Sequence, residues 1–582
     1  MFKLILKYKY TLLVLLVAFL AGFPLLHSGL IPTHDGEYHV IRFYEFDKVL
    51  RTGNLYPRWA PDLLYGFGVP IFTFVYPLPN YIASFFHLLG GSFIDGFKLN
   101  MFSAILVGAV FFYLWAKEFW GSWGGVVGSI FYTFSPYHFV DVYIRGSVGE
   151  VWALAFFPAC LWSITVGVKK RSLKHFALTS IFLALIIFSH NILALMFFIF
   201  YITYALFLIS LNKNKLLNTK YVLLNTALAL CASAIFWLPA LIETKLVTGL
   251  QIFDIKSNFA EIYELIFPSW GSGFSGTSSA DHLSYQIGIA NLIVVLFCII
   301  FVTKNYAKVV MLNLFQHLNI FRKIPKQVRD DNNNIVNKSS EYYHSVSYLI
   351  FFLIWFFILC FLMLRISYPI WQNVPFMNFF QFPWRFLSLV ILVCSFLASS
   401  IFYKKRSIWV FCIIALLPII FGISYAKPPF YFNRSDNHYT SRSNFIDGTN
   451  SPGNVFNTIW QSGPTKRETQ KLVFKLGEGN IKNLISKPEE HRFLVFSKTS
   501  SEMALNISYF PSWHVYSGMT ELKTHPSREG SIIFNLEKGN HPIKAVNNLT
   551  SIELLASLVS LSSVLVLIFL LCRRGLNPIR HA

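Results

Sequence analysis

Acidic residues are scarce in this chain, and so is charge of either sign. Only 28 of its 582 residues are Asp or Glu and 13% are charged, whereas 54% are hydrophobic and 18% are aromatic. Apolar runs of roughly twenty residues recur along the chain, the length that a helix needs to cross the hydrocarbon core of a membrane. The composition therefore excludes a soluble enzyme and predicts an α-helical polytopic membrane protein.

Two common kinds of site are missing from the sequence. All seven cysteines lie in or beside apolar runs and none lies in the polar stretch 425–550, so neither a disulfide framework nor a thiolate zinc site is available. A glycine-rich phosphate loop of the form GxxxxGK[ST], or GxGxxG in a strand context, is also absent from the sequence. Nucleotide sugars and ATP are therefore disfavoured as direct ligands.

The basic residues predict how the chain is oriented. The 49 Lys and Arg are concentrated in short loops between apolar runs, which makes them a topology signal rather than a nucleic-acid signal. By the positive-inside rule, twelve spans place both termini and the Lys/Arg-rich loops in the cytoplasm, where the loops would attract anionic membrane lipids. The predicted spans are 10–29, 97–116, 122–138, 149–168, 174–189, 191–211, 221–243, 284–303, 347–366, 384–402, 407–424 and 552–571.

One apolar segment, 69–89, does not fit a simple crossing because three prolines interrupt it. A crossing there would move every later loop to the other side and invert the charge bias. Broken helices are tolerated at membrane depth where protein or a water-filled cavity surrounds them. We therefore predict a re-entrant or surface-lying helix within a long external loop, 30–96.

The polytopic domain is predicted to cover 1–424 and to be followed by an external domain. A polar cytoplasmic insert at 304–345 is expected to be loosely ordered. Residues 425–550 alternate apolar and polar side chains at period two in their second half, which predicts an antiparallel β-sandwich. A last span and cytoplasmic tail, 551–582, follow. Trp513 and Tyr516 in the sandwich could stack on a sugar, but buried core aromatics are the commoner case.

Two carboxylates and two imidazoles lie in the hexapeptide His34-Asp35-Gly36-Glu37-Tyr38-His39, just after the first apolar run. Ionisable groups are expensive near hydrocarbon, so this cluster predicts a functional site at a membrane surface. The alternative is that both carboxylates cap a helix that starts near Glu37, where acidic residues complement the helix dipole. His34 and His39 could join a metal site, but their spacing is not a strong ligand pattern.

Asp35-x-Glu37 resembles the modified Asp-x-Asp motif in the first external loop of GT-C-type glycosyltransferases, multi-pass enzymes that take sugars from polyprenyl-phosphate carriers. Five further segments carry a second resemblance: Gly53-Asn54-Leu55-Tyr56-Pro57-Arg58-Trp59, Tyr65-Gly66-Phe67-Gly68-Val69-Pro70, Arg145-Gly146-Ser147-Val148-Gly149-Glu150, Gln381-Phe382-Pro383-Trp384-Arg385 and Tyr509-Phe510-Pro511-Ser512-Trp513-His514-Val515-Tyr516. In these segments the chain resembles a bacterial membrane family labelled 6-pyruvoyl-tetrahydropterin-synthase-related. True pterin synthases are soluble zinc enzymes, so the label is a poor guide to mechanism. The resemblance implies a GT-C-like scaffold in a plasma (inner) membrane.

The GT-C resemblance implies inverting transfer of a sugar from a polyprenyl-phosphate-linked donor to an extracytoplasmic glycan, lipid or protein. Such a reaction needs a carboxylate beside the acceptor nucleophile, and Asp35 is the predicted base. Glu37 would share a divalent ion, Mg²⁺ or Mn²⁺, with Asp35 or orient it through hydrogen bonds. Two carboxylates are a thin ligand set unless water and phosphate complete the shell, so metal dependence stays open.

A phosphate leaving group needs fixed cations or hydrogen-bond donors. Arg145 and Arg385, at predicted external helix ends, match phosphate oxygens in a fork, although snorkelling at the interface would place them there too. Arg58 has the same two interpretations. Glu150 begins an apolar run and is predicted to pair with Arg145. His190 is predicted either to bond phosphate or sugar or to complete a helix end.

Two other function classes stay open: a transporter or flippase for a lipid-linked saccharide, and a non-catalytic membrane scaffold. Transporters often show paired halves with matched broken helices. The sequence has one broken segment, 69–89, and no obvious counterpart, which counts mildly against transport. A nucleic-acid partner is not expected, and the sequence gives no signal for an oligomeric state.

Overall fold

The protein is described by a computed structural model. Its described residues are 2–249, 254–276, 281–317, 326–402, 407–441, 454–462 and 469–572, with the backbone alone at 2–7, 305–317 and 326–343.

Helices dominate the first 425 residues and return at the C-terminal end of the described chain. A single turn of π-helix, Val140–Arg145, lies among them. The helices are α1 Phe2–Gly22, α2 Gly36–Leu50, α3 Ile71–Phe74, α4 Leu78–Leu88, α5 Phe93–Thr133, α6 Pro136–Phe139, α7 Val148–Lys170, α8 Leu173–Ser189, α9 Asn191–Ser210, α10 Lys215–Ala232, α11 Ala234–Ile242, α12 Ile262–Ile266, α13 Ile289–His317, α14 Lys326–Met363, α15 Tyr368–Asn373, α16 Leu387–Ser399, α17 Ile408–Gly422, α18 Asp436–Thr440 and α19 Ser551–Cys572.

Eight helices among the described residues are long and apolar enough to cross a membrane, or nine if α10 and α11, bent by 69°, form one span. A multi-pass membrane architecture is therefore confirmed, whereas the count of twelve spans is not. The difference has identifiable sources. Helices α8 and the apolar part of α13 are shorter than a full span, and the predicted spans 97–116 and 122–138 lie largely in the two parts of α5, which counts as one candidate span although it breaks at Gly121.

Helix α5 reverses direction at Gly121, where φ is 71° and ψ is −177°. Glycine adopts such a conformation without the steric cost that a Cβ would bring. Beyond the bend, the Ser129 hydroxyl donates to the carbonyl of Ala109 at 2.7 Å, and the ring of Tyr132 stacks on that of Phe112 with centroids 4.9 Å apart. In a straight helix residues twenty apart would be about 30 Å apart. The two arms of α5 are therefore antiparallel.

Helix α7 and the span that contains α16 form the centre of the helical part. In the most apolar stretch of each of these two spans, 94% of the residues are buried inside the protein. The corresponding share is 17% in the span of α17 and 22% in α19. A helix that is apolar on all sides must be surrounded by protein or by lipid. Helices α7 and α16 therefore lie inside the bundle, and α17 and α19 present exposed aliphatic side chains at its periphery.

The proline-interrupted segment 69–89 forms two short helices, α3 and α4, of 4 and 11 residues. Pro77 occupies the N-cap position of α4, where its missing N–H costs no helical hydrogen bond. At about 1.5 Å per residue neither helix is long enough to span a hydrocarbon core of about 30 Å. The segment thus has the broken geometry that the sequence predicts.

A β-sandwich occupies the region before α19, as the period-two pattern predicts. Its strands are β1 Leu472–Leu476, β2 Gly479–Lys487, β3 Glu490–Ser497, β4 Ser501–Ser508, β5 Trp513–Ser517, β6 Thr520–Leu522, β7 His525–Pro526, β8 Ser531–Leu536 and β9 Gly539–Asn547. A four-stranded sheet in the order β1-β4-β8-β7 faces a five-stranded sheet in the order β2-β3-β9-β5-β6, and all pairings are antiparallel.

The sandwich core includes a side chain from far away in the sequence. Trp59, in the loop between α2 and α3, is buried in the same apolar cluster as Trp513, and the two rings meet edge to face at 5.6 Å. Phe510 packs against Trp59 as well. Trp513 is therefore a core residue, which confirms the commoner of the two interpretations. The loop that carries Trp59 attaches the sandwich to the helical part.

The polar insert 304–345 includes the end of α13 and the beginning of α14, whose backbones are helical. Its middle, 318–325, lies outside the described residues. The expectation of a loosely ordered loop is therefore not tested at that position.

Candidate functional site

The site begins where α2 starts, because the hexapeptide pairs there with the end of the π-helical turn. The backbone N–H of His34 donates to the carbonyl of Ile144 at 3.0 Å, and that of Asp35 donates to the carbonyl of Arg145 at 2.9 Å. Thr33 Oγ1 accepts the N–H of Gly36 at 3.1 Å, which satisfies one of the donors left open at a helix start. The backbone of Asp35 is therefore fixed against the Val140–Arg145 turn.

The carboxylate of Asp35 is uncommitted, although the residue occupies the N-cap position of α2. Its side chain makes no capping hydrogen bond. The residue is half-buried, and among the described residues its carboxylate has neither a hydrogen bond nor an ion pair. A capping role would require its oxygen to accept an N–H of the first helical turn. Thr33 accepts such an N–H and Asp35 does not, so Asp35 forms no capping hydrogen bond, although its N-cap position places its charge at the positive end of the helix dipole.

Arg42 is an additional residue of the site. It follows Asp35 by seven residues, or two helical turns, and long side chains on a helix lean toward its N-terminus. Burial lowers the pKa of Arg42, while the charges of Tyr76 and then Asp35 act in the opposite direction, which places all three groups in one electrostatic neighbourhood. The spacing of seven residues between Asp35 and Arg42 is the sequence feature that could have identified Arg42 as part of the site.

Glu37 is directed to a different partner. Its Oε1 lies 3.2 Å from Nη1 of Arg434, and both side chains are about one-third exposed. Positions two apart on a helix differ by about 200° in direction, so Glu37 and Asp35 lie on different sides of α2. The pair with Arg434 attaches α2 to the segment that precedes α18.

The carboxylates fit a magnesium or manganese ion poorly. Within the described parts of the chain, no group of three or more His, Cys, Asp and Glu residues is arranged to hold a metal ion. Asp35 and Glu37 alone would leave most positions of an octahedral shell to water and phosphate. A metal bound by these two residues stays a prediction.

The two histidines of the hexapeptide have structural partners. His34 Nε2 lies 2.8 Å from the carbonyl oxygen of Ser272, and its ring stacks on Phe274 at 4.3 Å. His39 is buried, with its ring parallel to those of Phe43 and Phe97. Burial lowers the pKa of both imidazoles, so both are neutral near pH 7.

Behind Asp35 lies a buried cluster of charged side chains, which we call the Glu150 cluster: Asp141, Arg145, Glu150, His190 and Arg385. Arg145 donates to both oxygens of Glu150, through Nη1 at 2.5 Å and Nη2 at 2.7 Å. This confirms the predicted pair. Nε of Arg385 donates to Oε1 of the same carboxylate at 3.1 Å. With two carboxylates and two guanidinium groups, the cluster is balanced in charge.

The cluster explains how these ions are tolerated inside an apolar bundle. Two buried cations without partners would be costly, whereas a bidentate pair satisfies charge and hydrogen bonds together. Arg145 also stacks on the ring of Trp384 at 4.8 Å. Arg145 and Arg385 are therefore already engaged by Glu150. Their predicted contact with a phosphate would require a change of partner, and it stays a prediction.

Asp141 belongs to the cluster although the sequence did not single it out. It pairs with Arg145 through Oδ1, while its Oδ2 is buried without a hydrogen-bond partner among the described residues. Burial raises the pKa of Asp141, Glu150 raises it further, and Arg145 acts against both. The spacing of four residues to Arg145 was a usable signal for this pair.

His190 serves a helix end and the cluster at once. Its Nδ1 accepts the backbone N–H of Leu193 at 3.2 Å, which caps α9. Because Nδ1 is the acceptor, the proton of the neutral ring is on Nε2, which lies 3.6 Å from Oε1 of Glu150. The Tyr76 ring lies 5.1 Å away from the imidazole ring. The helix-end interpretation of His190 is therefore confirmed.

Arg58 lies at a different place, between the first long loop and the last helix. Its Nε is 3.3 Å from Oε1 of Glu553 in α19, and its Nη2 donates to the carbonyl of Ile235 at 3.0 Å. The guanidinium also lies over the ring of Tyr56 at 4.7 Å. Arg58 is thus not part of the Glu150 cluster.

Comparison with known proteins identifies relatives but no reaction. Residues 72–431 match a family described as "6-pyruvoyl-tetrahydropterin synthase related domain; membrane protein". An uncharacterized protein of Lactococcus lactis subsp. cremoris (strain MG1363) is 24% identical over 247 residues, which are 41% of this chain and 40% of that relative. The chain thus matches less than half of the relative's length. No solved structure matches the chain.

Proposed function

The chain belongs to the 6-pyruvoyl-tetrahydropterin-synthase-related family of membrane proteins, and we propose that it is a membrane glycosyltransferase. In this proposal it transfers a sugar from a polyprenyl-phosphate-linked donor to an acceptor on the extracytoplasmic side. The family description says only that the domain is related to a pterin synthase, so the proposal rests on the residues of the site and on the GT-C-like position of Asp35.

The observation that carries the proposal is the uncommitted carboxylate of Asp35. The backbone of Asp35 is held by the Arg145 carbonyl, Thr33 meets the capping need of α2, and the carboxylate is left without a partner among the described residues. A carboxylate that served only structure would be engaged, as Glu150 and Glu37 are. A fixed backbone with a free oxygen is what a general base requires.

In the proposed reaction the oxygen of the acceptor hydroxyl attacks the anomeric carbon, and Asp35 takes the proton of that hydroxyl. The bond from that carbon to the phosphate oxygen breaks, and the electron pair leaves with the polyprenyl phosphate. The sugar ring passes through an oxocarbenium-like state, and attack from the face opposite the leaving group inverts the anomeric configuration.

Arg42 is the cation best placed to meet the leaving phosphate in this proposal. It lies on the helix that Asp35 begins, and the two side chains influence each other electrostatically. Its guanidinium can present two parallel donors to a phosphate. Arg145 and Arg385 would then act indirectly. Both bind Glu150, and the backbone carbonyl of Arg145 accepts the N–H of Asp35 and so fixes its position.

The test compares membranes with the chain, membranes without it, and membranes in which the intact gene has been restored. We expect loss of the chain to remove a glycan modification and to accumulate a polyprenyl-linked sugar, and the restored gene to reverse both changes. Unchanged levels of both the glycan and the lipid-linked sugar would contradict the proposal.

A second candidate function, transport of a lipid-linked saccharide, is favoured by one observation. Ionisable side chains buried among transmembrane helices often mark a transport pathway, and Asp141 in the Glu150 cluster retains an unpartnered buried oxygen within the described structure. The two functions differ in their need for a base. Substitution of Asp35 by Asn would leave flipping intact and would abolish sugar transfer.

A further inference from the structure

A cavity of 480 Å³ lies where the first long loop, the β-sandwich and α19 meet. Asn54, Tyr56 and Arg58 line it from the loop, Glu489 and Asn547 from the sandwich, and Glu553 from α19. Volumes of about 300–1,000 Å³ are usual for small-molecule sites, and domain junctions are a preferred place for them. Neither Asp35 nor any member of the Glu150 cluster lines this cavity.

The polar lining is organised around Glu489. Asn54 Nδ2 donates to Oε2 of this carboxylate at 2.7 Å, and Asn547 Nδ2 lies 3.3 Å from its Oε1. Burial raises the pKa of Glu489, and the two amides act in the opposite direction. An amide–carboxylate–amide row offers donors and acceptors side by side, the combination that vicinal hydroxyl groups can satisfy.

Four lining residues carry a buried polar atom to which no other described residue hydrogen-bonds. They are Tyr56 Oη, Arg58 Nη1, Thr73 Oγ1 and Asn547 Oδ1. Buried polar groups are nearly always paired, because an unmade hydrogen bond is costly. These four atoms have almost no accessible surface and lie behind the cavity wall, and their concentration shows that the described groups of the protein do not satisfy all the hydrogen bonds of this junction.

Charge and apolar surface restrict the kind of occupant. Arg58 is compensated by Glu553 at 3.3 Å, and Glu489 adds a carboxyl group, so the cavity carries no excess positive charge. An anionic ligand is therefore disfavoured. The exposed side chains of Leu55 and Leu549 also line the cavity and provide apolar surface for the C–H face of a sugar.

We propose that this junction cavity binds a neutral saccharide through Asn54, Glu489 and Asn547, and that this saccharide is part of the acceptor glycan. Its identification as acceptor rests on the proposed function, whereas saccharide binding itself does not.

The experiment measures binding of simple sugars to the full chain in lipid nanodiscs by saturation-transfer NMR. The probes are the methyl glycosides of glucose, galactose, mannose and N-acetylglucosamine, with glucuronic acid as the anionic comparator. We expect at least one neutral glycoside to bind and glucuronic acid to bind at least tenfold more weakly. Absence of binding by all four glycosides, or preference for glucuronic acid, would overturn the proposal.

Variants locate the binding. Glu489→Gln and Asn547→Leu should each weaken binding at least tenfold, whereas the matched control Glu521→Gln, a more exposed carboxylate of the same sheet paired with His514, should leave it unchanged. Equal binding by all three variants would place the sugar elsewhere. If the cavity variants fail to fold, hydrogen exchange on the unmodified protein decides. The bound glycoside should slow exchange at 54–59 and 545–549, and unchanged exchange at both segments would contradict the proposal.

Failure of this inference can be distinguished from failure of the proposed function. Asp35→Asn should keep sugar binding while it loses transfer. If transfer persists in that variant and the cavity still binds sugar, the glycosyltransferase proposal fails and the saccharide site stands. If transfer requires Asp35 but the cavity binds no sugar, the glycosyltransferase proposal stands and the saccharide site fails.

Discussion

Nε of Arg385 lies 3.1 Å from Oε1 of Glu150, although 235 residues separate the two in the chain. Arg145 holds the same carboxylate from the π-helical turn, so Glu150 joins α7, the turn and the segment before α16. The carbonyl of Arg145 accepts the N–H of Asp35. The buried ions therefore fix the backbone on which the proposed base is carried.

Removal of Glu150 should destabilise the protein strongly. Glu150→Leu leaves two buried guanidinium groups without their shared carboxylate, a change that typically costs about 3–5 kcal/mol. Thermal unfolding in one detergent measures the effect. The control is Glu118→Leu, which removes a carboxylate 3.6 Å from exposed Lys170 and should cost about 1 kcal/mol or less. Similar losses in both variants would show that the cluster does not stabilise the bundle.

Glu37 should be far less important for catalysis than Asp35. Its pair with Arg434 is about one-third exposed on each side, so Glu37→Gln should lower the free energy of unfolding by about 1 kcal/mol or less. Sugar transfer should fall less than tenfold, because the pair attaches a segment and does not reach the reacting atoms. Steady-state transfer and thermal unfolding are measured together. A loss of transfer as large as that of Asp35→Asn would restore Glu37 to the catalytic role that the sequence motif implies.

The pH dependence of stability should contain a contribution from Glu45. This carboxyl is buried in α2 and accepts the N–H of Asp62 at 3.0 Å; burial, and then the charge of Asp62, raises its pKa from 4.5 to about 8. Between these pH values the folded state holds a proton that the unfolded state has lost. Stability is therefore lost as the pH rises from about 4.5 to about 8, by at most about 1.4 kcal/mol per pH unit.

Glu45→Gln tests this prediction because glutamine stays neutral at every pH. Melting temperatures of the variant and the unmodified protein are compared at pH 5, 6.5, 8 and 9. The melting temperature of the variant minus that of the unmodified protein should increase up to about pH 8 and then stay constant. Parallel curves over the whole range would contradict a raised pKa for Glu45.

Trp59 should be required for attachment of the sandwich to the helical part. Trp59→Ala empties a position in the sandwich core and should cost about 3–5 kcal/mol. Leu55→Ala in the same loop is the control, because Leu55 is 80% exposed and should change stability by about 0.5 kcal/mol or less. Limited proteolysis of the two variants shows whether the sandwich is released. Equal resistance would mean that other contacts hold the sandwich in place.

The parts of the fold that follow from local patterns could be predicted from the sequence. Apolar runs gave the membrane class, period-two alternation gave the sandwich, and a spacing of five residues gave the Arg145–Glu150 pair. The number of spans was harder to predict. Hydropathy alone does not distinguish a full crossing from a short apolar helix or from an arm of a hairpin such as that at Gly121.

Contacts between distant parts of the chain left no local signal. Glu37 and Arg434 are 397 residues apart, and Trp59 enters a core whose strands begin at Leu472. The sequence therefore could not show that Glu37 is engaged or that Thr33 relieves Asp35 of capping. Both depend on which side chains meet after folding, and both change the roles that the Asp-x-Glu motif predicts.

The most direct test is to measure the rate of sugar transfer by the Asp35→Asn variant in purified membranes, with donor lipid and acceptor supplied. Asparagine keeps the size of the side chain and much of its hydrogen bonding but cannot accept the acceptor's proton. We predict that transfer falls at least a hundredfold, in line with the usual contribution of a general base. Membrane levels and melting temperature should stay unchanged, because the carboxylate has no partner among the described residues. Transfer within twofold of the unmodified protein would contradict the assignment of Asp35 as the base.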